Sequence, residues 1–575
     1  KSTSYETTFP TVCEKLYNAT GIKVDDDLMK RFLPYSSYLN VDEVADINKT
    51  WKQVAGKAGV DVKQLRDTVL PLSAIYSIGE HTRSLLFALS DGALPSNVGG
   101  GYNLRMILRR ALSFIDKYGW NIYLPDVAAW HAEYLKPLFP ELSENLEQVK
   151  TVLDVEKKKY EATKQKTNTI IKGLIKNKED VGEKKLLEMY DSQGISPEII
   201  REEALKLGRK IEVPQDFYAR VAELHEKRAQ EHSTKKEDRL DLKGVPETKA
   251  LYFDDYCCTE FDAKVLRITG NHVILDRTAA YPTSGGQMHD IGMLNGERFV
   301  DVFKQGSVIV HVMEKEPGFS EGDSVKGNIN FERRKQLAQH HTSTHIVNVA
   351  ARRVLGKHIN QAGAKKTEDK AHLDITHYQS LTDDEVRSIE EEANKIVRED
   401  LPVRTFFLPR DDAEKKYGMA IYQGGAVPGN TIRIVEIPEV DVEACGGTHL
   451  KSTGESGEIR ILKSTKIQDG IVRLTFTAGK AAENEEKEEA SALEEAAKLL
   501  GCEAEQVPAR AEELFSKWKK AVKKKKKLES GKLESQERFE GSPSEIMART
   551  AEVLKTQPEH ALKTIRRFLK ELEEA

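Results

Sequence analysis

The feature that most constrains the fold is a change of hydrophobic periodicity near Leu251. Before it, apolar residues recur at helical spacing, as in Val12–Tyr17, Leu104–Ile115 and Leu142–Val155. After it, apolar and polar residues alternate in short runs such as Lys264–Ile268, a pattern typical of half-buried strands. The chain therefore divides into regions of different secondary structure.

These patterns predict a multidomain α+β protein, and the length of 575 residues is enough for about three to five domains. Residues 1–243 are predicted to be helical, with the charged stretch Glu226–Lys243 as a linker at their end. Residues 244–330 are predicted to form a small β-barrel, beginning with a hairpin whose turn is Gly270-Asn271. Residues 331–480 mix helix and strand, and residues 481–575 return to charged helix.

Composition excludes several classes of protein. Hydrophobic residues make up 39% of the chain, so extended disorder is not expected. No run of about 18 apolar residues is present, which excludes a membrane span. Five cysteines indicate a reducing compartment and hence a cytoplasmic protein. The net charge of −5 argues against a uniformly basic nucleic-acid coat, while the basic run Lys523–Lys527 is either a solvated face or a local nucleic-acid contact.

The strongest chemical signal is split across the chain. His341 and His345 are four residues apart on a predicted helix, so both imidazoles project from one face. Cys445 and His449 flank two glycines, which permit a tight turn. Three imidazoles and one thiolate suit Zn²⁺. Each half alone is more often a surface or core pair, and a closed structural site is a second alternative. The chain has Thr342 where zinc proteases carry a glutamate base.

A third element is the segment Tyr281-Pro282-Thr283-Ser284-Gly285-Gly286-Gln287. It is either a loop at a strand end or a place where backbone approaches a ligand closely, with Gln287 offering both a donor and an acceptor.

These three elements in this order resemble the editing domain of alanyl-tRNA synthetases, through Thr283–Gln287, His341–His345 and Cys445–His449. Two segments of the helical half, Leu89–Ala111 and Met189–Gly194, resemble the tRNA-recognition region of the same family. The resemblance covers nearly the whole chain and leans towards archaeal members.

The resemblance implies an α+β editing domain that holds one Zn²⁺ per chain and hydrolyses the ester of serine or glycine on tRNA(Ala). Its metal ligands would be His341, His345, Cys445 and His449. Gln287, Thr342 and Thr344 are candidate catalytic residues. Gln287 would hold substrate or water, and a threonine hydroxyl would bind the serine hydroxyl. The alternative for each threonine is a hydrogen bond back to its own helix.

The resemblance also implies contacts with the acceptor stem of tRNA(Ala). Asn97 and Asp191 match the pair that reads a G·U wobble pair, and an amide and a carboxylate suit exposed base edges. Arg105, Arg109 and Arg110 would position phosphates without reading sequence. The alternative is a turn asparagine and a helix-capping aspartate.

One departure from the family pattern affects the expected activity. No ATP-binding motif of a class II activating domain is recognisable, and Thr7-Thr8-Phe9-Pro10 resembles the stretch that follows the last such motif. The chain begins at Lys1 rather than at methionine, so we interpret it as a processed product or a fragment of a synthetase. We therefore expect it to lack alanine activation, with ATP a cofactor of the missing domain.

The last helices resemble the start of the dimerisation and tRNA-binding appendage of the family, so a homodimer is expected of a full-length parent. Two other functions are compatible with the residues. The first is a non-catalytic tRNA-binding module with structural zinc. The second is a zinc hydrolase of small molecules, which leaves the arginine-bearing helical half unexplained.

Overall fold

The computed structural model describes residues 3–39, 47–97, 99–176, 182–193, 195, 197–214, 217, 240–423, 425, 427, 429–523 and 532–574. Most of the predicted charged linker, residues 226–239, and residues 524–527 of the basic run lie outside them.

The described part of residues 3–206 is helical, as predicted. Its helices are α1 Ser4–Thr8, α2 Pro10–Thr20, α3 Asp26–Phe32, α4 Ile47–Ala58, α5 Val62–Ser90, α6 Gly99–Tyr118, α7 Leu124–Leu135, α8 Glu141–Glu144, α9 Leu146–Lys176, α10 Glu183–Gln193 and α11 Pro197–Lys206. The long helix α5 begins at a cap in which Asp61 accepts from the backbone N–H groups of Lys63 and Gln64. Leu65, Ile75 and other buried residues of α5 join one apolar core with α2, α7 and α9.

A closed barrel follows, in the strand order β2-β3-β7-β6-β5-β8. The strands of this part of the chain are β1 Lys249–Ala250, β2 Glu260–Thr269, β3 His272–Leu275, β4 Arg277–Thr278, β5 Gly292–Leu294, β6 Glu297–Gln305, β7 Val308–Met313 and β8 Ser324–Ile329. Thr269 pairs with His272 across the predicted turn, where Gly270 takes a left-handed φ of 59°. Alternate residues of the strands point inward, among them Val325 and Ile329 of β8.

The next region combines helices with two sheets. Its helices are α12 Phe331–Leu355, α13 Asp383–Arg398 and α14 Arg410–Tyr417. One sheet has the order β14-β15-β10-β9, with β9 Gln361–Lys366, β10 Ala371–Thr376, β14 Ile459–Gln468 and β15 Ile471–Ala478. The other sheet is β11 Arg404–Pro409, β12 Thr431–Ile437 and β13 Asp441–Ala444, in that order. Helices α12 and α13 pack on the first sheet through Val347, Ile396 and Phe476.

The chain ends in the helices α15 Lys480–Leu500, α16 Val507–Trp518, α17 Pro543–Leu554 and α18 Pro558–Glu573, which share an apolar core. The prediction of a multidomain α+β protein is confirmed by these helices and sheets. Among the described residues, none of the helices combines the length and the apolar character needed to cross a bilayer.

Candidate metal centre

Two segments far apart in the chain supply one compact cluster of metal-ligating side chains. His341 and His345 lie on α12, while Cys445 and His449 flank the turn that follows β13. One ligand atom from each residue lies within 4.8 Å of those of the other three. The Cys445 Sγ lies 3.3 Å from the His341 Nε2 and 3.4 Å from the His449 Nε2. The structure thus brings together the four residues that the sequence predicts as ligands.

The part of α12 that carries the two imidazoles is buried although its sequence is polar. Every residue from Gln336 to Ala351 is buried, although the stretch contains histidines and threonines. Most buried polar side chains have hydrogen-bond partners, and those of His341, Thr342 and His345 on this stretch do. The helix starts after Asn330, whose side chain accepts from the N–H of Arg333.

The turn between Cys445 and His449 approaches α12 so closely that it needs a glycine. A Cβ atom added to Gly447 would lie 1.8 Å from the Cε1 of His341, whereas one added to Gly446 would meet nothing within 4 Å. The missing side chain at position 447 is therefore what lets the thiolate and His449 reach the helix.

Gln287 fixes the orientation of the first imidazole. Its Oε1 accepts from the backbone N–H of Thr448 at 3.1 Å, which identifies that atom as the oxygen of the amide. The same oxygen lies 2.7 Å from the His341 Nδ1, so this nitrogen carries the proton. The His341 Nε2 is then left as an acceptor that faces Cys445. The Gln287 Nε2 donates to the Thr448 hydroxyl at 2.8 Å.

The other two imidazoles are also held at Nδ1. The His345 Nδ1 lies 3.1 Å from a carboxylate oxygen of Asp441 and 3.4 Å from one of Glu443. Burial lowers the pKa of His345, but Glu443 and then Asp441 outweigh burial and raise that pKa well above its ordinary value. The His449 Nδ1 lies 3.3 Å from the Thr342 hydroxyl. All three histidines thus turn Nε2 towards the cluster, as metal-ligating histidines with an outer partner do.

The protonation states of the cluster suit a cation. Burial raises the pKa of the Cys445 thiol, but His341 and His449 outweigh burial and hold that pKa well below its ordinary value. Burial also holds the pKa of His341 well below its ordinary value and lowers that of His449 to about 4. At neutral pH Cys445 is therefore a thiolate and His341 and His449 are neutral imidazoles, the forms that bind Zn²⁺, whereas His345 is protonated beside Glu443 and Asp441 and would release that proton on binding a metal.

Contacts between the barrel and α12 bring the loop that carries Gln287 to the cluster. The buried guanidinium of Arg334 on α12 binds the buried carboxylate of Asp290 through Nε at 3.0 Å. A Cβ on Gly286 would lie 2.0 Å from the backbone oxygen of Ala364, so this loop lies directly on β9. The ammonium of Lys366 donates to the Gly285 carbonyl at 3.1 Å, and burial lowers its pKa.

These contacts change what can be expected of the three predicted catalytic residues. Gln287 is fully buried and its oxygen is occupied by His341 and Thr448, so in this structure it orients the His341 imidazole. The Thr344 hydroxyl donates to the His340 carbonyl at 2.7 Å, which is the alternative hydrogen bond within its own helix. The Thr342 hydroxyl accepts from the Leu450 N–H at 3.1 Å.

Several residues that contact the cluster were not predicted from the sequence. Asp441 and Glu443 alternate along β13, which leads directly into Cys445, so the period of two that defines a strand face could have identified them. Arg433 of β12 holds the cysteine turn through bonds from its guanidinium to the carbonyls of Cys445, at 3.0 Å, and Gly447, at 2.8 Å. No local signal marks Arg433, because its partners lie in the turn that follows the neighbouring strand β13.

The structure pairs Arg105 with carboxylates of the chain itself. Arg105 is 4% exposed and binds both carboxylate oxygens of Glu156, at 2.9 and 2.8 Å. It also forms an ion pair with Asp469, in the turn between β14 and β15. Its donors are therefore committed to the carboxylates of Glu156 and Asp469 in this structure, and the contact of Arg105 with a phosphate stays a prediction.

The remaining predicted tRNA contacts are placed as follows. The side-chain oxygen of Asn97 accepts from the Arg105 guanidinium at 2.6 Å, and Asn97 is exposed. Arg109 is half-buried, and Arg110 is exposed beside the Phe114 ring. Asp191 falls on α10, but its side chain lies outside the described part of the structure, so the predicted pairing with Asn97 stays a prediction.

Two families match the sequence. Residues 35–333 match the family described as tRNA synthetases class II (A), which is just over half of the chain. Residues 432–475 match the family described as Threonyl and Alanyl tRNA synthetase second additional domain. This second match includes Cys445 and His449.

Curated relatives are similar over almost the whole chain. An alanine–tRNA ligase of Methanocella arvoryzae is 43% identical over 528 residues, 92% of this chain and 59% of the relative. One from Methanococcus maripaludis is 40% identical over 95% of this chain and 64% of the relative. One from Pyrococcus abyssi is 40% identical over 92% of this chain and 59% of the relative. The chain thus spans about three-fifths of the length of these archaeal relatives.

The class II match corrects one expectation. Residues 35–333 belong to class II synthetase sequence, so the inference that the chain lacks the class II activating domain is not supported. That inference rested on unrecognised short motifs, which weigh less than similarity spread over half of the chain. The exclusion of alanine activation falls with it.

Proposed function

The chain belongs to the alanyl-tRNA synthetase family, and from this premise we propose that its cluster of three histidines and one cysteine is a zinc site for editing. The reaction is hydrolysis of the ester that links serine or glycine to the terminal adenosine of tRNA(Ala). Water adds to the ester carbonyl, the bond to the ribose oxygen breaks, and the products are the free amino acid and the tRNA.

The chemistry of alanine selection creates the need for such a reaction. A pocket shaped for alanine cannot strongly reject glycine, which lacks one methyl group, nor serine, which adds a hydroxyl. Binding differences of this size are worth only about 1–3 kcal/mol. A separate hydrolytic site removes the wrong esters after they form.

The observation that carries the proposal is the convergence of His341, His345, Cys445 and His449 within 4.8 Å. Three imidazole nitrogens and a thiolate match the preferences of Zn²⁺, and every Nδ1 is already held by an outer partner. A zinc ion bound there would act as a Lewis acid towards the ester carbonyl or a water.

The protein residues supply orientation and access. Gln287, Asp441 and Thr342 hold the three imidazoles, and we assign them as positioning residues. Among the four ligands Cys445 alone is partly exposed, and its neighbour Gly446 is exposed. The substrate ester and the attacking water therefore approach from the side of this turn.

Deacylation of seryl-, glycyl- and alanyl-tRNA(Ala) tests the proposal. Cys445→Ala should slow hydrolysis of the seryl or glycyl ester by at least about 100-fold, because a ligand is lost rather than an outer partner. Cys502→Ala, which removes a cysteine far from the site in the C-terminal helices, is the matched control and should retain the activity. Faster hydrolysis of the alanyl ester by the intact chain would contradict the proposal.

A structural zinc site in a non-catalytic tRNA-binding module is the competing function, favoured by the fact that four protein donors can complete a tetrahedron. Metal content cannot separate the two functions. A chain that binds zinc and tRNA(Ala) but leaves seryl- and glycyl-tRNA intact would support the module.

We also propose that the chain takes part in ATP-dependent ligation of alanine to tRNA(Ala), the activity that names its relatives. Exchange of pyrophosphate into ATP in the presence of alanine measures activation directly.

For acceptor-stem recognition we propose Asn97 and Asp191 as readers of a G·U pair. Asp191→Ala should reduce the discrimination between G·U and G·C stems, with Asp154→Ala, an exposed carboxylate of α9, as the control. Unchanged discrimination would refute the assignment.

A further inference from the structure

The three-stranded sheet carries an exposed aromatic residue in the same row as the cysteine of the cluster. Phe407 of β11 pairs directly with Arg433 of β12. The backbone N–H of Cys445 in turn donates to the Arg433 carbonyl at 3.1 Å. Residues opposite each other on neighbouring strands project from one face of a sheet. Phe407, Arg433 and Cys445 therefore form one row across the sheet, on the face that looks towards the cluster.

This row determines the distance between Phe407 and Cys445. Neighbouring strands lie about 4.8 Å apart, so two strand spacings put the backbone of Phe407 roughly 10 Å from that of Cys445. The opposite face of the same strand is different, since Phe406 and Leu408 pack into a small core with Ile434 and Ala413. Phe407 is excluded from that core by the alternation of the strand.

Phe407 is unusually exposed for its size, with 53% of its surface accessible. It rests against Phe253, which comes from the barrel, at 5.7 Å between ring centroids and at 85° between planes. The Arg433 guanidinium lies over the Phe253 ring at 5.2 Å from its centroid. An unbroken set of contacts thus runs from the carbonyl of Cys445 through Arg433 and Phe253 to Phe407.

We propose that Phe407 is the stacking platform for the terminal adenine of the tRNA, an inference that rests on the proposed editing function. In an aminoacylated 3′ end the adenine is separated from the ester by a single ribose. An ester held beside Cys445 would therefore present its base about where the row reaches Phe407. Aromatic side chains bind unstacked bases of single-stranded RNA ends through their faces.

The side from which solvent reaches the cluster agrees with the proposed role of Phe407. The three histidines are buried, whereas Cys445 is partly exposed and Gly446 is exposed. The route from solvent to the cluster therefore enters at the cysteine turn, at the end of the row that leads to Phe407. Phe253 and Arg433 support the platform from beneath and fix its angle to the turn.

A fluorescent base tests the platform without any chemistry. The probe is unacylated tRNA(Ala) whose 3′ adenosine is replaced by 2-aminopurine, the fluorescence of which falls when the base stacks. The full chain should quench the probe. Phe407→Ala should abolish the quenching, and Phe407→Trp, which keeps an aromatic face, should restore it. Phe539→Ala, which removes an exposed aromatic ring from the C-terminal region, is the control and should quench like the parent chain.

Deacylation kinetics give a second readout. Loss of one stacked base should raise KM for seryl-tRNA(Ala) by roughly 5- to 150-fold, while kcat for bound ester changes little, and Phe407→Trp should recover the KM. Quenching that survives in Phe407→Ala overturns the inference, as does an equal loss in Phe407→Ala and Phe407→Trp. If quenching depends on Phe407 in a chain that deacylates no ester, the platform stands and the proposed editing function fails. If the chain deacylates the ester but quenching does not depend on Phe407, only the proposed role of Phe407 fails.

Discussion

Gly447 offers the sharpest test of the metal centre, because its neighbour Gly446 provides a control of the same chemistry. In Gly447→Ala the new Cβ would lie 1.8 Å from the Cε1 and 2.2 Å from the Nδ1 of His341. In Gly446→Ala the new methyl group would meet nothing within 4 Å. Neither glycine has a left-handed φ, so both variants leave the backbone unstrained and differ only in what the methyl group contacts.

The expected loss follows from the geometry. Non-bonded carbon atoms settle about 3.5–4.0 Å apart, so the His341 ring must retreat by roughly 2 Å. Metal sites accept ligand distances within about 0.2 Å of the ideal value. A displacement ten times larger removes His341 from the coordination sphere and also breaks its bond to Gln287. The affinity for Zn²⁺ should therefore fall by at least about 100-fold, equivalent to about 2.7 kcal/mol.

Competition with a zinc-binding indicator measures the affinity, and absorption of the Co²⁺-loaded protein reports whether the thiolate remains bound. Gly446→Ala should bind both ions like the parent chain. Parental affinity in Gly447→Ala would refute the ligand assignment of His341. Equal losses in both variants would show that the turn, and not the contact with His341, is what the substitutions disturb.

Three further predictions concern the surroundings of the site and the helical core. Gln287→Leu should weaken Zn²⁺ binding by about 10- to 100-fold, because His341 loses the acceptor that fixes its tautomer, and Gln287→Glu should retain binding in the same competition assay. Arg105→Met should lower the free energy of unfolding by up to about 5 kcal/mol, since the buried carboxylate of Glu156 then keeps only Lys159 as its cation; urea titration measures this, and the exposed Arg110→Met should change it by less than about 0.5 kcal/mol. Burial lowers the pKa of His131 to about 4, whereas the unfolded chain titrates near 6.5. The unfolded state therefore binds more protons between these values, and stability should fall by up to about 3 kcal/mol as pH drops from 6.5 to 4. Urea titrations across this range should show a smaller fall for His131→Asn.

The four residues of the cluster could be predicted from the sequence because each pair is local. A spacing of four residues puts His341 and His345 on one helix face, and Cys445 and His449 flank a turn that glycines permit. The outer residues of β13 obey a rule of the same kind. Asp441 and Glu443 follow the period of two that leads to Cys445, so a strand reading carried a few residues further would have included both.

The role of Gln287 could not be predicted, because it depends on contacts between distant parts of the chain. Its loop reaches α12 because Arg334 binds Asp290 and because Gly286 lies against the backbone of Ala364. The sequence shows that the amide of Gln287, next to two glycines, is able to form hydrogen bonds with a partner. Whether that partner is a ligand, a water or another side chain is decided by packing that no local pattern encodes.

The partners of Arg105 could not be predicted from the sequence either, and they explain how two regions of the molecule are joined. From the sequence alone, an arginine on a helix that follows a glycine-rich turn fits a phosphate contact as well as it fits an ion pair within the protein. In the structure its donors bind Glu156 of α9, Asp469 of the β14–β15 turn and Asn97. Lys159 of α9 binds the same Asp469 at 3.0 Å.

The junction between the helical region and the β14–β15 turn is therefore built from opposite charges, of which Arg105 and Glu156 are buried and Lys159 and Asp469 are half-buried. Such a group is stable only when every member is paired, since a buried charge without its partner costs several kcal/mol. Removing one member should therefore weaken all the ion pairs of the junction together rather than one at a time. Because Arg105 also holds the side-chain oxygen of Asn97, the residue proposed to read the acceptor stem is tied to the sheet that packs against α12. The separation between Asn97 and the histidines of α12 is thus fixed by the fold.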